Sequence, residues 1–140
     1  MLFRSVEKGV VKNLVYDRYW AQKNQKKPTP FPANLLMDGS TASLADLIAS
    51  TERGLLVTRF WYIRFLQPQT LQLTGLTRDG VFYIEKGKIR YPVNNFRFNQ
   101  SVIELLNNIE GMTPAQPTGD SVLPTIKARE FNFSSLSDAV

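Results

Sequence analysis

The chain has 140 residues, with 17 Lys+Arg against 12 Asp+Glu for a net charge of +5, and it contains neither Cys nor His. This length carries one domain with its own core and is too short for two of ordinary size; 43% hydrophobic and 21% charged residues exclude a wholly disordered chain. The lack of Cys removes disulfides, thiolate nucleophiles and zinc-thiolate sites, and no run approaches the ~20 apolar residues of a membrane span, so a cytoplasmic protein is expected.

Leu2 to Val6 and Val10 to Tyr16 flank Glu7-Lys8-Gly9, where a glycine free to take positive φ predicts a hairpin. Glu7, Lys8 and Lys12 interrupt the apolar residues here, so the stretch does not read as a secretion signal. Asp17 to Gln22 fits either an extension of the second strand or a short helix. Pro28, Pro30 and Pro32 end regular structure over 26–32, and Lys23, Lys26 and Lys27 read as solvated loop charge rather than a nucleic-acid groove. Ser43, followed by Asp46 three residues on and by Leu44, Leu47 and Ile48 at helical spacing, predicts an N-capped amphipathic helix ending before Gly54.

From Gly54 to Phe65 alternation puts Val57, Arg59, Trp61 and Ile63 on one face and Leu56, Thr58, Phe60, Tyr62 and Arg64 on the other. Both faces are largely apolar, so a central strand covered on both sides is expected. Arg59 and Arg64 must then snorkel to the rim, pair with carboxylates or reach a bound anion. Leu71 to Thr77 and Val81 to Glu85 flank Arg78-Asp79-Gly80, an Asp-Gly signal for a two-residue hairpin turn. Glu85-Lys86-Gly87-Lys88 predicts a second reversal into Ile89 to Val93, with Pro92 at a strand end or sheet edge.

Phe96 and Phe98 alternate with Arg97 in a short extended piece. Ser101 and Glu104 then form a capping-box pattern ahead of Val102, Ile103, Leu105, Leu106 and Ile109, with Gly111 placed to end the helix. Residues 112–124 hold Pro114, Pro117, Gly119 and Pro124 and read as a flexible loop. Thr125 to Phe133 alternates as a last strand, and the Ser-rich tail to Val140 is expected to fray.

Direct signs of chemistry are few. There is no phosphate loop, no nucleophile elbow and no His to act as a base, so only carboxylates remain as acids or bases. Asp17, Asp79, Glu85, Glu104 and Glu110 are scattered, each with a structural role open to it, and none is assigned as catalytic or metal-binding.

The segments 9–19, 49–64 (ending Leu55-Leu56-Val57-Thr58-Arg59-Phe60-Trp61-Tyr62-Ile63-Arg64), Thr77-Arg78-Asp79-Gly80, Glu85-Lys86-Gly87-Lys88-Ile89 with 92–99, and Ala128-Arg129-Glu130-Phe131-Asn132-Phe133 resemble, in order, successive blocks of the carboxy-terminal region of the TldD/PmbA family. Active members of that family are similar to zinc metallopeptidases in which a His-Glu-x-x-x-His helix holds the metal and the Glu activates water, with a further ligand, often Cys, from the carboxy-terminal region. With neither His nor Cys, no metal ligand can be carried over, and zinc is implied only for a complete member.

The resemblance implies one mainly antiparallel α+β domain over residues 1–140, a curved sheet or open barrel with two short helices. Its implied role is in proteolysis or peptide maturation, without hydrolytic activity of its own. The entry of the chain at Leu2 without a polar lead-in fits the carboxy-terminal half of a longer or split protein. A catalytic TldD/PmbA-type subunit or a second copy would be its partner, and a peptide its substrate in the assembled enzyme. Arg59, Tyr62 and Arg64 are the expected substrate-binding residues, an exposed strand pairing with the peptide backbone. The competing class is a non-enzymatic scaffold or binding module, docking a partner or weakly binding nucleic acid, as the positive balance and the family's association with DNA gyrase modulation suggest.

Overall fold

The computed structural model describes residues 6–7, 10–29 and 34–136, which fall in two compact units, Met1–Leu35 and Leu36–Val140. In the first unit the predicted hairpin is present but short, β1 (Val6–Glu7) pairing antiparallel with β2 (Val10–Val11); the remainder of its first strand lies outside the described residues. Residues after Val11 leave the strand, and Thr29 claims the backbone of Tyr16. The Tyr16 N–H donates to Thr29 Oγ1 at 2.8 Å, and the Thr29 N–H donates to the Tyr16 carbonyl at 2.9 Å. Asp17 then caps helix α1 (Arg18–Lys23) by accepting from the Trp20 N–H at 2.8 Å. The open reading at this point thus resolves to helix, because a cap satisfies a donor that an extended chain would leave to water. Lys23 is not merely solvated, since its Nζ lies 4.9 Å from the centroid of the Trp20 ring.

The second unit opens with helix α2 (Leu44–Ala49), capped as the sequence predicts. Ser43 Oγ accepts from the Asp46 N–H, and the Asp46 carboxylate accepts from the Ser43 hydroxyl at 2.7 Å and N–H at 2.8 Å. Those two bonds, the hydroxyl first, hold the Asp46 carboxyl below its ordinary pKa. The elements that follow are β3 (Arg53–Gln67), β4 (Gln72–Glu85), β5 (Lys88–Val93), β6 (Phe96–Ser101), α3 (Val102–Asn107), β7 (Ile109–Met112), β8 (Gln116–Thr118), β9 (Ser121–Leu123), β10 (Ile126–Ala128) and β11 (Phe133–Leu136).

Five of these strands form one open antiparallel sheet in the order β11-β6-β4-β3, with β5 also on β4. The α+β class is as expected, with three short helices among the described residues and no closure into a barrel. β4 is the spine: β6 pairs with its first half and β5 with its second half along one edge, while β3 runs along the other.

Two expectations are corrected here. Asp79-Gly80 is no hairpin turn, for β4 runs unbroken through it and Thr58 of β3 stands opposite both residues. The positive φ of Asp79 (63°) and Gly80 (140°) forms a bulge, and the Thr58 hydroxyl closes it by donating to the Gly80 carbonyl at 2.9 Å. Asp-Gly supplies the same backbone freedom to a bulge as to a turn, and the partner strand decides which forms. The true two-residue reversal is Lys86-Gly87, with φ of 50° and 71°.

The second correction concerns β3, which lies at the edge of the sheet and is exposed from Thr58 to Gln67 rather than covered on both sides. Its apolar alternation was legible, but whether another layer covers it is a property of what packs on the sheet.

Smaller differences follow the same logic. α3 begins at its Ser101 cap but ends at Asn107, and Ile109 and Gly111 join β7 instead. Gly111 packs so closely on α2 that a Cβ there would lie 2.8 Å from Leu47 Cδ2. Residues 112–124, expected as a structureless loop, contain the β8–β9 hairpin, beside which Leu36 bridges Val122 in parallel. The expected last strand divides in two, β10 pairing with β7 and β11 with β6, with Glu130 at φ 57° between them.

The buried side chains of this unit include Leu47, Val81, Ile84 and Phe98, and Thr77 is wholly buried. The Thr77 hydroxyl accepts from the Phe96 N–H at 2.8 Å and donates to Asn95 Oδ1 at 3.1 Å, fixing the β5–β6 connection to the spine. Thr77→Val keeps the shape and strands the Phe96 donor, so it should cost about 1–3 kcal/mol. Urea unfolding checks this, with Thr77→Ser retaining most of the stability because it retains the hydroxyl.

Candidate functional site

Two surfaces of the second unit can hold a ligand. The first is a cleft of about 490 Å³ bounded by α2, the inner face of β3 and the 125–133 segment, with Leu47, Leu56, Phe60, Ile84 and Phe131 among its lining. This is the size range of small-ligand sites, apolar within and charged at Arg53, Glu110, Lys127, Arg129 and Glu130. Lys127 is engaged: Nζ donates to the Ser50 carbonyl at 2.9 Å and to Ser50 Oγ at 3.1 Å. It thereby satisfies the end of α2, while Glu110 stands 4.0 Å away. Phe60, Phe131 and Phe133 of its lining form one ring cluster with Phe98, with centroid distances of 4.9–5.5 Å. Nothing in the alternation of residues 125–133 marks Phe131 for this role; the αL turn at Glu130 sets its direction.

The second surface is the distal half of β3, where among the described residues the outer edge has no strand partner. Arg59, Tyr62 and Arg64 all lie here, and none of them lines the cleft. Arg59 Nη1 meets Asp79 Oδ2 at 2.8 Å, and its guanidinium lies 4.7 Å from the Trp61 ring centroid. Arg64 stacks at 4.6 Å over Tyr62. Tyr62 and Ile63 together oppose the single residue Gly75, and Tyr62 takes φ 54°. A bulky residue in that region costs roughly 1–3 kcal/mol and persists only where its surroundings impose it. Gly75 makes room for the bulge, since a Cβ there would lie 3.0 Å from the Trp61 carbonyl oxygen and 2.7 Å from the Phe98 ring.

Among the described residues no three of His, Cys, Asp and Glu stand together to hold a metal, and the sequence has no imidazole or thiol to contribute. The residues therefore do not fit a zinc ion, whose protein ligands are drawn mainly from those groups. Among the described residues, no helix is long and apolar enough to cross a membrane.

The described residues thus form an open antiparallel sheet with a cleft on one side and the exposed edge of β3 on the other. The chain belongs to the TldD/PmbA family, for residues 3–135 match the family profile described as the PmbA/TldA metallopeptidase C-terminal domain. Solved structures share the fold. A Bacteroides thetaiotaomicron protein described as a candidate modulator of DNA gyrase superposes with a TM-score of 0.75 at 26% identity, covering 94% of this chain and 30% of its own. TldE from Thermococcus kodakarensis gives 0.68 at 21%, covering 92% and 32%. A Thermotoga maritima protein, also described as a candidate gyrase modulator, gives 0.68 at 18%, covering 91% and 31%. This chain thus spans about a third of the length of the solved structures it matches. Among proteins with curated descriptions, none matches it in sequence.

Proposed function

We propose that this chain works as the carboxy-terminal domain of a TldD/PmbA-type zinc metallopeptidase, in cytoplasmic proteolysis or peptide maturation, and that the hydrolytic centre comes from polypeptide other than these 140 residues. The observation that carries this reading is the pairing of a family match over residues 3–135 with a sequence that has neither His nor Cys. A domain related to metallopeptidases yet unable to bind the metal contributes walls, contacts and position, and the metal-bearing part is a catalytic family subunit. In that assembly the outer edge of β3 offers its backbone groups to an extended peptide, with Arg59, Tyr62 and Arg64 contacting side chains.

Metal analysis and peptidase assays test this directly. The isolated chain should hold no stoichiometric zinc and cleave no peptide, whereas mixing it with a family subunit bearing the His-Glu-x-x-x-His helix should yield chelator-sensitive cleavage. Tight zinc binding or unaided, chelator-sensitive hydrolysis by the chain alone would overturn the reading.

A further inference from the structure

The two faces of the sheet differ in a way that strand alternation alone hides. Directly opposed residues of antiparallel strands project from the same face, as do residues two apart along a strand. Phe60 opposes Thr77, and Gly75 opposes Phe98, which places these four on the inner face with the buried core. Trp61 opposes Leu76, which opposes Arg97; Arg59 opposes Arg78; Arg64 opposes Thr74. The outer face therefore carries Arg59, Arg64, Arg78 and Arg97 around Trp61. Trp61 is 42% exposed, and Tyr62 beside it is 61% exposed.

One half of this face is already satisfied from within. Asp79 sits between Arg59, at 2.8 Å, and Arg78, at 3.5 Å, and both guanidiniums lie over the Trp61 ring, at 4.7 and 5.1 Å. The other half repeats the arrangement without the acid. Arg64 and Arg97 lie on the same face, both exposed, and neither has a carboxylate within ion-pair distance among the described residues. Arginine forks favour carboxylates, and exposed aromatic rings between them give an apolar anchor that bare electrostatics lacks.

We propose that the outer face centred on Trp61 is a docking surface for an acidic polypeptide segment with apolar residues between its carboxylates, Arg64 and Arg97 receiving the acids and Trp61 and Tyr62 the apolar side chains. The filled Arg59–Asp79–Arg78 triad is the internal precedent for the carboxylate, which is why a polypeptide is favoured over a nucleic-acid strand. The surface belongs to this chain whatever its role in peptide cleavage, and its test needs no catalysis.

The full chain carrying Trp20→Phe leaves Trp61 as the single indole reporter. Titration with the peptide Glu-Phe-Glu-Leu-Glu-Phe-Glu should change Trp61 emission saturably, and its Lys-for-Glu counterpart should not. Arg64→Glu combined with Arg97→Glu should weaken binding by about tenfold or more while leaving the melting temperature in place, since both side chains are exposed. Arg64→Lys with Arg97→Lys should retain part of the affinity, keeping the charge but losing the fork. The proposal is overturned by an acidic peptide that gives no saturable change, by affinity indifferent to the double reversal, or by oligo-dT of equal charge binding more tightly than the peptide.

Discussion

Phe98→Ala is expected to cost about 3–5 kcal/mol, the range for truncating a buried phenylalanine, and to lower the melting temperature by roughly 10–20 °C for a chain of this size. Phe98 is 4% exposed, its ring centroid lies 5.0 Å from that of Phe60 and 5.5 Å from that of Phe131, and its backbone pairs with both Gly75 of the spine and Phe133 of β11. Removing it opens the junction of three strands and the 129–132 segment at once. The coupling to Gly75 makes the explanation specific. Gly75→Ala alone puts a methyl 2.7–2.8 Å from the Phe98 ring and should cost about 1–3 kcal/mol by overpacking. In the double variant the same methyl enters space that the ring has vacated. The combined loss should then fall short of the sum by about 1 kcal/mol or more, as expected for residues in contact. Denaturant unfolding of the two single variants and the double variant measures this, and simple additivity would show that the ring is not what restricts residue 75.

Gly87→Val is the second large effect. Lys86 and Gly87 reverse the chain between β4 and β5, both at positive φ, and the turn is fastened to the α2–β3 junction by the Lys86 N–H on the Glu52 carbonyl (2.7 Å) and the Gly87 N–H on the Thr51 carbonyl (2.9 Å). A Cβ at residue 87 would lie 2.6 Å from the Ala49 carbonyl oxygen and 3.2 Å from its Cα. The neighbour is backbone at the end of a capped helix and has little room to retreat. Left-handed strain for a β-branched residue adds to the clash, for a combined loss of about 3 kcal/mol or more. Gly119 supplies the control. It too has positive φ (60°), but a Cβ there would meet nothing within 4 Å, so Gly119→Val should show the conformational part alone, about 1 kcal/mol. Equal losses at the two positions would mean that the contact with Ala49 contributes nothing.

Capping signals proved the most legible part of the sequence. Ser43 with Asp46 and Ser101 ahead of Glu104 each open a helix where the residues say so, because a cap is a local bond between groups three residues apart. Pro92 fell on an edge strand for an equally local reason, having no N–H to offer a second neighbour. The failures share a different cause. Asp79-Gly80 carried the correct backbone freedom, but the choice between turn and bulge was made by β3, twenty residues away, through Thr58. Ile109 and Gly111 carried a helical stripe and a helix stop, yet pairing with β10 drew both into β7. The candidate site divides likewise: Arg59, Tyr62 and Arg64 were visible as unusual residues in an apolar strand, while Arg78 and Arg97 joined them on one face only through the register of three strands.

The residue list alone settled that this polypeptide has no imidazole or thiol with which to build a zinc centre, and that it has the strand and cap signals of an antiparallel α+β domain, because composition and short-range bonds are independent of how the chain is arranged in space. Tertiary structure decided that β4 is the spine and β3 an exposed edge, and that Arg59, Arg64, Arg78 and Arg97 share with Trp61 the face opposite Phe60 and Phe98. Those outcomes depend on pairing between segments far apart in the chain, and such pairing is fixed only when all the strands compete for the same neighbours.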